Sequence, residues 1–103
     1  MGISNAIVIG GGIGGLAAAA ALSRRGMAVT LLEQAPAITE VGAGLQISPN
    51  GIAVLRAMGL DAKLTERAAV RGQAVVLQDY KAGARVARLD LMRGQGAYPY
   101  MFV

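Results

Sequence analysis

The chain of 103 residues has no cysteine, no histidine and no tryptophan, one phenylalanine, and six acidic residues against ten basic ones. Each shortage excludes something. Without cysteine there is no disulfide and no thiol chemistry, which agrees with a reducing cytoplasm. Without histidine, the commonest general base and the commonest metal ligand are both gone. Aromatic residues make up 4% and hydrophobic residues 54%, so the core is built from many small contacts in a globular chain. At this length it forms one small domain at most, burying about 65% of its unfolded surface. A net charge of +4 raises nucleic acid or a membrane surface as a partner. The basic residues are scattered, however, and Arg24-Arg25 is the one adjacent pair. No aromatic residues alternate with them. The charge reads as a solvated surface, and neither partner is expected.

Charge is also missing from residues 1–23. A signal peptide would need a basic start, and a membrane span would need roughly 20 apolar residues. Here residues 10–15 hold five glycines in six positions, so a buried strand, turn and helix is the better reading. No heptad, internal repeat or low-complexity linker interrupts the chain.

What is present centres on Ala6–Glu33, AIVIGGGIGGLAAAAALSRRGMAVTLLE. An apolar run leads into the glycines, an alanine-rich segment follows, and a second apolar run ends at Glu33. Gly10, Gly12 and Gly15 fit G-x-G-x-x-G, and the acid lies close to the roughly 20 residues further on that a dinucleotide fingerprint expects. Gly10 permits a tight exit from the strand, Gly12 leaves bare backbone for a pyrophosphate, and Gly15 lets helix and strand approach. Helix N–H groups then face the phosphates, and Glu33 is placed to accept from an adenosine ribose. The expected elements are a strand over Ala6–Gly10 with helices on both faces, a helix over Ile13–Arg25 and a strand over Met27–Glu33. Ala19, Leu22 and Val29 pack them together, and Gly26 stops the helix.

Gln34–Gly44 reads as a loop, and Leu45–Ser48 as a short extended piece. Ser48 caps a helix with Pro49 at its first position. Ile52, Leu55 and Met58 share its inner face, and Gly59 ends it. A short helix over Leu60–Ala68 follows. Ala74–Leu77 and Val86–Leu89 flank a turn at Tyr80–Ala84, which predicts a β-hairpin; Asp79 and Lys81 near its tip read as surface charges. Residues 92–100 read as loop before the apolar Met101-Phe102-Val103.

The run GAGLQISPNGIAVLRAMGL, Gly42–Leu60, carries a family resemblance. Together with the first motif it resembles the N-terminal part of single-component flavin-dependent aromatic hydroxylases of the salicylate- and hydroxybenzoate-hydroxylase type. The resemblance spans Ile7 to Val103. It implies an α/β fold: a Rossmann-like βαβ unit followed by short helices and a β-hairpin, making an incomplete FAD-binding domain over residues 1–103. It also implies FAD as cofactor, NADH or NADPH as reductant, dioxygen, and a small aromatic substrate. Gly12, Ile13 and Gly14, flanked by Gly10 and Gly15, would hold the pyrophosphate. Glu33 would hold the ribose and Gln34 would lie beside the adenosine, while Ala43, Gly44, Leu45 and Gln46 would run along the flavin with their amides toward its polar edge.

In similar proteins a His-Arg pair follows a segment like Tyr98–Val103, and a Gly-Asp motif and a substrate domain come later. The chain therefore reads as the first quarter to third of an enzyme, without a catalytic base or metal site of its own. The alternatives are another flavoenzyme, an NAD-dependent dehydrogenase, or a non-catalytic dinucleotide-binding fragment. Gly42–Leu60 argues against the first. Against the second stands the lack of another βα unit soon after Glu33.

Overall fold

The computed structural model describes residues 2–39, 42, 44–67, 69–93 and 96–103. Its elements fall into two compact units, residues 1–42 and 43–103.

The first unit is a βαβ crossover. Strand β1 (Asn5–Ile9) pairs in parallel with β2 (Ala28–Leu32), from Asn5 opposite Ala28 to Ile9 opposite Leu32. Helix α1 (Ile13–Arg24) links them, the connection that parallel strands require. Backbone bonds carry the ladder past both ends: the Ala28 N–H donates to the Ser4 carbonyl at 2.9 Å, and the Gly10 N–H to the Leu32 carbonyl at 2.7 Å. Both strands alternate exposed and half-buried residues. Ala6, Val8 and Val29 are half-buried, as are Gly15, Ala19 and Leu22 of α1. The short side chains on this face let helix and strands approach closely.

The opposite face departs from expectation. Ile7, Ile9 and Leu32 are 69%, 85% and 52% exposed, so among the described residues helical cover lies on one face of the pair only. The continuous apolar run suggested burial on both sides, whereas one crossover supplies a single layer.

Helix α1 ends as Gly26 predicts. Its φ is +82°, its N–H donates to the Ser23 carbonyl, and the Met27 N–H reaches back to the Leu22 carbonyl. Those two bonds are a Schellman closure.

The second unit holds β3 (Gln46–Ile47), α2 (Pro49–Ala57), α3 (Asp61–Glu66), β4 (Val70–Arg71), β5 (Ala74–Gln78), β6 (Arg85–Asp90) and β7 (Met101–Phe102). Two-residue strands β3, β7 and β4 form an antiparallel sheet in that order. Sequence periodicity gives no sign of β4, which is too short to show any. Ser48 occupies the N-cap with Pro49 beside it, as expected. Its hydroxyl, however, donates to the Asn50 side-chain carbonyl rather than accepting from the helix backbone. Helix α2 repeats the glycine closure of α1: the Gly59 and Leu60 N–H groups donate to the Arg56 and Leu55 carbonyls. Its inner face is Ile52, buried, with Leu55 and Met58 half-buried. Ala68, the last residue of the predicted second helix, lies outside the described residues.

Among the described residues, Leu91 and Met101 complete the buried apolar set. Gly72 is buried, and a Cβ there would lie 2.4 Å from the Phe102 ring. Strands β5 and β6 form the expected hairpin, with a register shift at Leu77/Gln78. Asp79 is more than a surface charge, for its carboxylate accepts from the Ala82 N–H at 3.0 Å and the Lys81 N–H at 3.3 Å, closing the turn.

Candidate dinucleotide site

The site starts where β1 ends. Gly10 turns the chain with φ +101°, a conformation in which any Cβ is strained, and two residues later Gly12 stands at the N-cap of α1 with ordinary extended angles. A Cβ on Gly15 would lie 1.8 Å from the Gly10 carbonyl oxygen, so only glycine lets the first turn of the helix pass under the loop. Gly12 and Gly14 have the opposite property. Both are exposed, and a Cβ on either would meet nothing within 4 Å. Their bare backbone faces open space. No side chain caps the helix and its first turn holds no acidic residue, so the positive end of the helix dipole is left for an external anion. Ile13 projects outward, 67% exposed.

Glu33 follows β2 directly and reaches the same turn. Its Oε2 accepts the Gly11 N–H at 2.5 Å and its Oε1 the Ala35 N–H at 2.8 Å. Hydrogen bonds from Ala35, Gly11 and, more weakly, Gln34 hold the carboxyl below its usual range, and partial burial only partly offsets them. Amides that donate to the charged form favour it. Gln34 is exposed beside it.

Sequence reasoning did not assign roles to Gly11 or Ala35. Gly11 is an unspecified position in the fingerprint, yet it is buried against Glu33. The run of three glycines, where the fingerprint asks for the first and third, was the available signal.

The other predicted residues, Ala43, Gly44, Leu45 and Gln46, belong to the second unit. Ala43 lies outside the described residues. Gly44 has φ +144° and Leu45 is 51% exposed. The expectation of free amides needs a correction at Leu45, whose N–H donates to the Val103 carbonyl at 2.8 Å and whose carbonyl accepts the Val103 N–H at 2.9 Å. Its backbone is spent on lengthening the β3–β7 ladder. Antiparallel pairing alternates, so the next residue, Gln46, turns its N–H and carbonyl away from β7, toward the edge of the sheet. Gln46 therefore has backbone groups to offer.

Among the described residues, no three acidic side chains gather as a metal site, and no helix is long and apolar enough to cross a membrane.

A glycine turn under a helix N-terminus, with a carboxylate at the end of the second strand, defines a dinucleotide-binding βαβ unit. Comparison with known proteins narrows the class. The family model described as "FAD binding domain" matches residues 4–102, and the chain belongs to that family.

Among curated proteins, it is 43% identical over 100 residues to 3-hydroxybenzoate 6-hydroxylase of Polaromonas naphthalenivorans (strain CJ2), covering 94% of this chain and 25% of that protein. Among solved structures, p-nitrophenol 4-monooxygenase PnpA of Pseudomonas putida DLL-E4 matches with TM-score 0.82 and 26% identity, over 97% of this chain and 25% of that one. HpxO of Klebsiella pneumoniae, complexed with FAD and uric acid, matches with TM-score 0.71 and 28% identity, over 94% of this chain and 25% of that one. The chain thus spans about a quarter of the relatives it matches. The residues fit FAD: backbone open at Gly12 and Gly14, a helix N-terminus without a side-chain cap, and an ionised carboxylate suit a diphosphate and a ribose.

Proposed function

We propose that the chain is the N-terminal portion of the FAD-binding domain of a flavin-dependent monooxygenase. That enzyme hydroxylates a small aromatic substrate, with NADH or NADPH as reductant and dioxygen as oxidant. The observation that carries this reading is the Glu33 carboxylate drawn onto an open glycine turn, in a chain 43% identical to a hydroxybenzoate hydroxylase.

In this reading Gly10 and Gly15 shape the turn, and Gly12, Ile13 and Gly14 present backbone to the pyrophosphate. Glu33 accepts from the ribose, and Gln34 lies beside the adenosine. Ala43, Gly44, Leu45 and Gln46 border the flavin, Gln46 through its edge-facing backbone. When bound, FAD supplies the redox chemistry that links the nicotinamide reductant to dioxygen; this chain's residues bind and orient it. The absence of cysteine and the need for NAD(P)H support a cytoplasmic location.

The test is direct. Denaturing the full-length enzyme releases FAD, identified chromatographically at one equivalent per chain; stoichiometric FMN or NAD overturns the reading.

A further inference from the structure

The dinucleotide fingerprint assigns nothing to Gly11, and it gives Glu33 only a ribose. The structure shows a bond between them. Gly11 is buried, and its N–H points at Glu33 Oε2 from 2.5 Å. A Cβ on Gly11 would sit 3.0 Å from that oxygen, 3.2 Å from Glu33 Cγ and 3.3 Å from Glu33 Cβ. The carboxylate therefore lies along the bare α-carbon, and a side chain at position 11 would push it away. Gly11 is glycine so that Glu33 can lie against it. Its neighbour Gly10 turns the chain at φ +101°, a conformation open to glycine but not to a residue with a Cβ.

We propose that Glu33 is a positioning residue for the phosphate turn. Its Oε2 holds the Gly11 amide, and with it the orientation of the Gly10–Gly12 backbone, before any cofactor arrives. An ionised carboxylate offers about four acceptor sites. Two are taken by the Gly11 and Ala35 amides and a third, more weakly, by that of Gln34, which leaves a site for a ribose hydroxyl. One side chain then ties the ribose end of the site to the pyrophosphate end. The ligand half of this inference rests on the proposed FAD reading; the bond to Gly11 stands without it.

The experiment uses the 15N-labelled chain of 103 residues without cofactor. The Gly11 amide proton is expected far downfield. It should follow pH with a midpoint below that of an ordinary glutamate, in keeping with the amides that favour the ionised form. Glu33→Gln should abolish that titration, and Glu33→Asp, one methylene shorter, should move the amide back upfield. Amides of β1 and α1 serve as the check that each variant is folded. A Gly11 amide indifferent to pH in the wild-type chain overturns the proposal, and that arm needs no variant.

A second arm titrates FAD into the full-length apoenzyme and its Gly11→Ala variant by flavin fluorescence. Gly11→Ala is expected to lose at least tenfold in affinity, although the fingerprint permits any residue there; unchanged affinity overturns the link to the phosphates. Should FAD fail to bind the full-length enzyme while Gly11 still follows Glu33, the cofactor reading falls and the brace is supported.

Discussion

At the scale of single residues, the five glycines around the turn are not equivalent, and substitution separates their roles. Gly12→Ala adds a methyl group where the protein has nothing within 4 Å, at φ −72°. Its thermal midpoint should stay close to wild type, while FAD affinity falls because the methyl occupies the phosphate's place. Gly15→Ala drives a methyl into the Gly10 carbonyl at 1.8 Å. Overpacking costs about 1–3 kcal/mol, and the rigid backbone partner puts this variant at the upper end, so its loss shows in urea denaturation without any ligand. Equal effects of the two on folding would contradict the geometry. Glu33→Ala should weaken FAD by roughly ten- to a hundredfold, the usual range for losing a hydrogen bond to a charged group. Glu33→Gln should fall between, and alanine within about twofold of wild type would remove the ribose role. The fingerprint residues were legible because each obeys a local steric rule. Gly11 was not, because its constraint comes from a side chain 22 positions away.

At the scale of elements, helix ends and the hairpin were readable. Gly26 and Gly59 both take left-handed angles that close a helix, a requirement written into the residue type itself. The hairpin followed from two apolar runs around a glycine-containing turn. The short strands β3, β4 and β7 were harder to read, since two residues show no period and their pairing joins positions more than 20 residues apart. The role of Asp79 was hidden for a similar reason: its partners are amides whose direction depends on the turn already being formed. Asp79→Ala should therefore destabilise the hairpin by about 1 kcal/mol, measured from the urea midpoint. Asp79→Asn keeps an acceptor and should recover most of the loss; equal losses from both would exclude the capping role.

At the scale of the whole molecule, the chain covers about a quarter of its relatives, and a ligand site normally encloses most of its ligand. The 103-residue chain alone should bind FAD weakly and, with FAD and NADPH added, oxidise the nicotinamide no faster than free flavin does. Robust hydroxylation of an aromatic acid by this chain would refute that expectation.

The uncovered side of the β1–β2 pair bears on how the chain behaves in a test tube. Ile7, Ile9 and Leu32 present branched hydrocarbon to water on a two-stranded sheet whose outer edges carry no further strand among the described residues. Such a surface, with open backbone edges, is a template for self-association. Light scattering should rise with concentration and an apolar dye should fluoresce on binding. Ile7→Lys, on the side away from α1, should suppress both. The positive net charge acts against this stickiness by mutual repulsion, so added salt, by screening it, should bring the chain out of solution sooner.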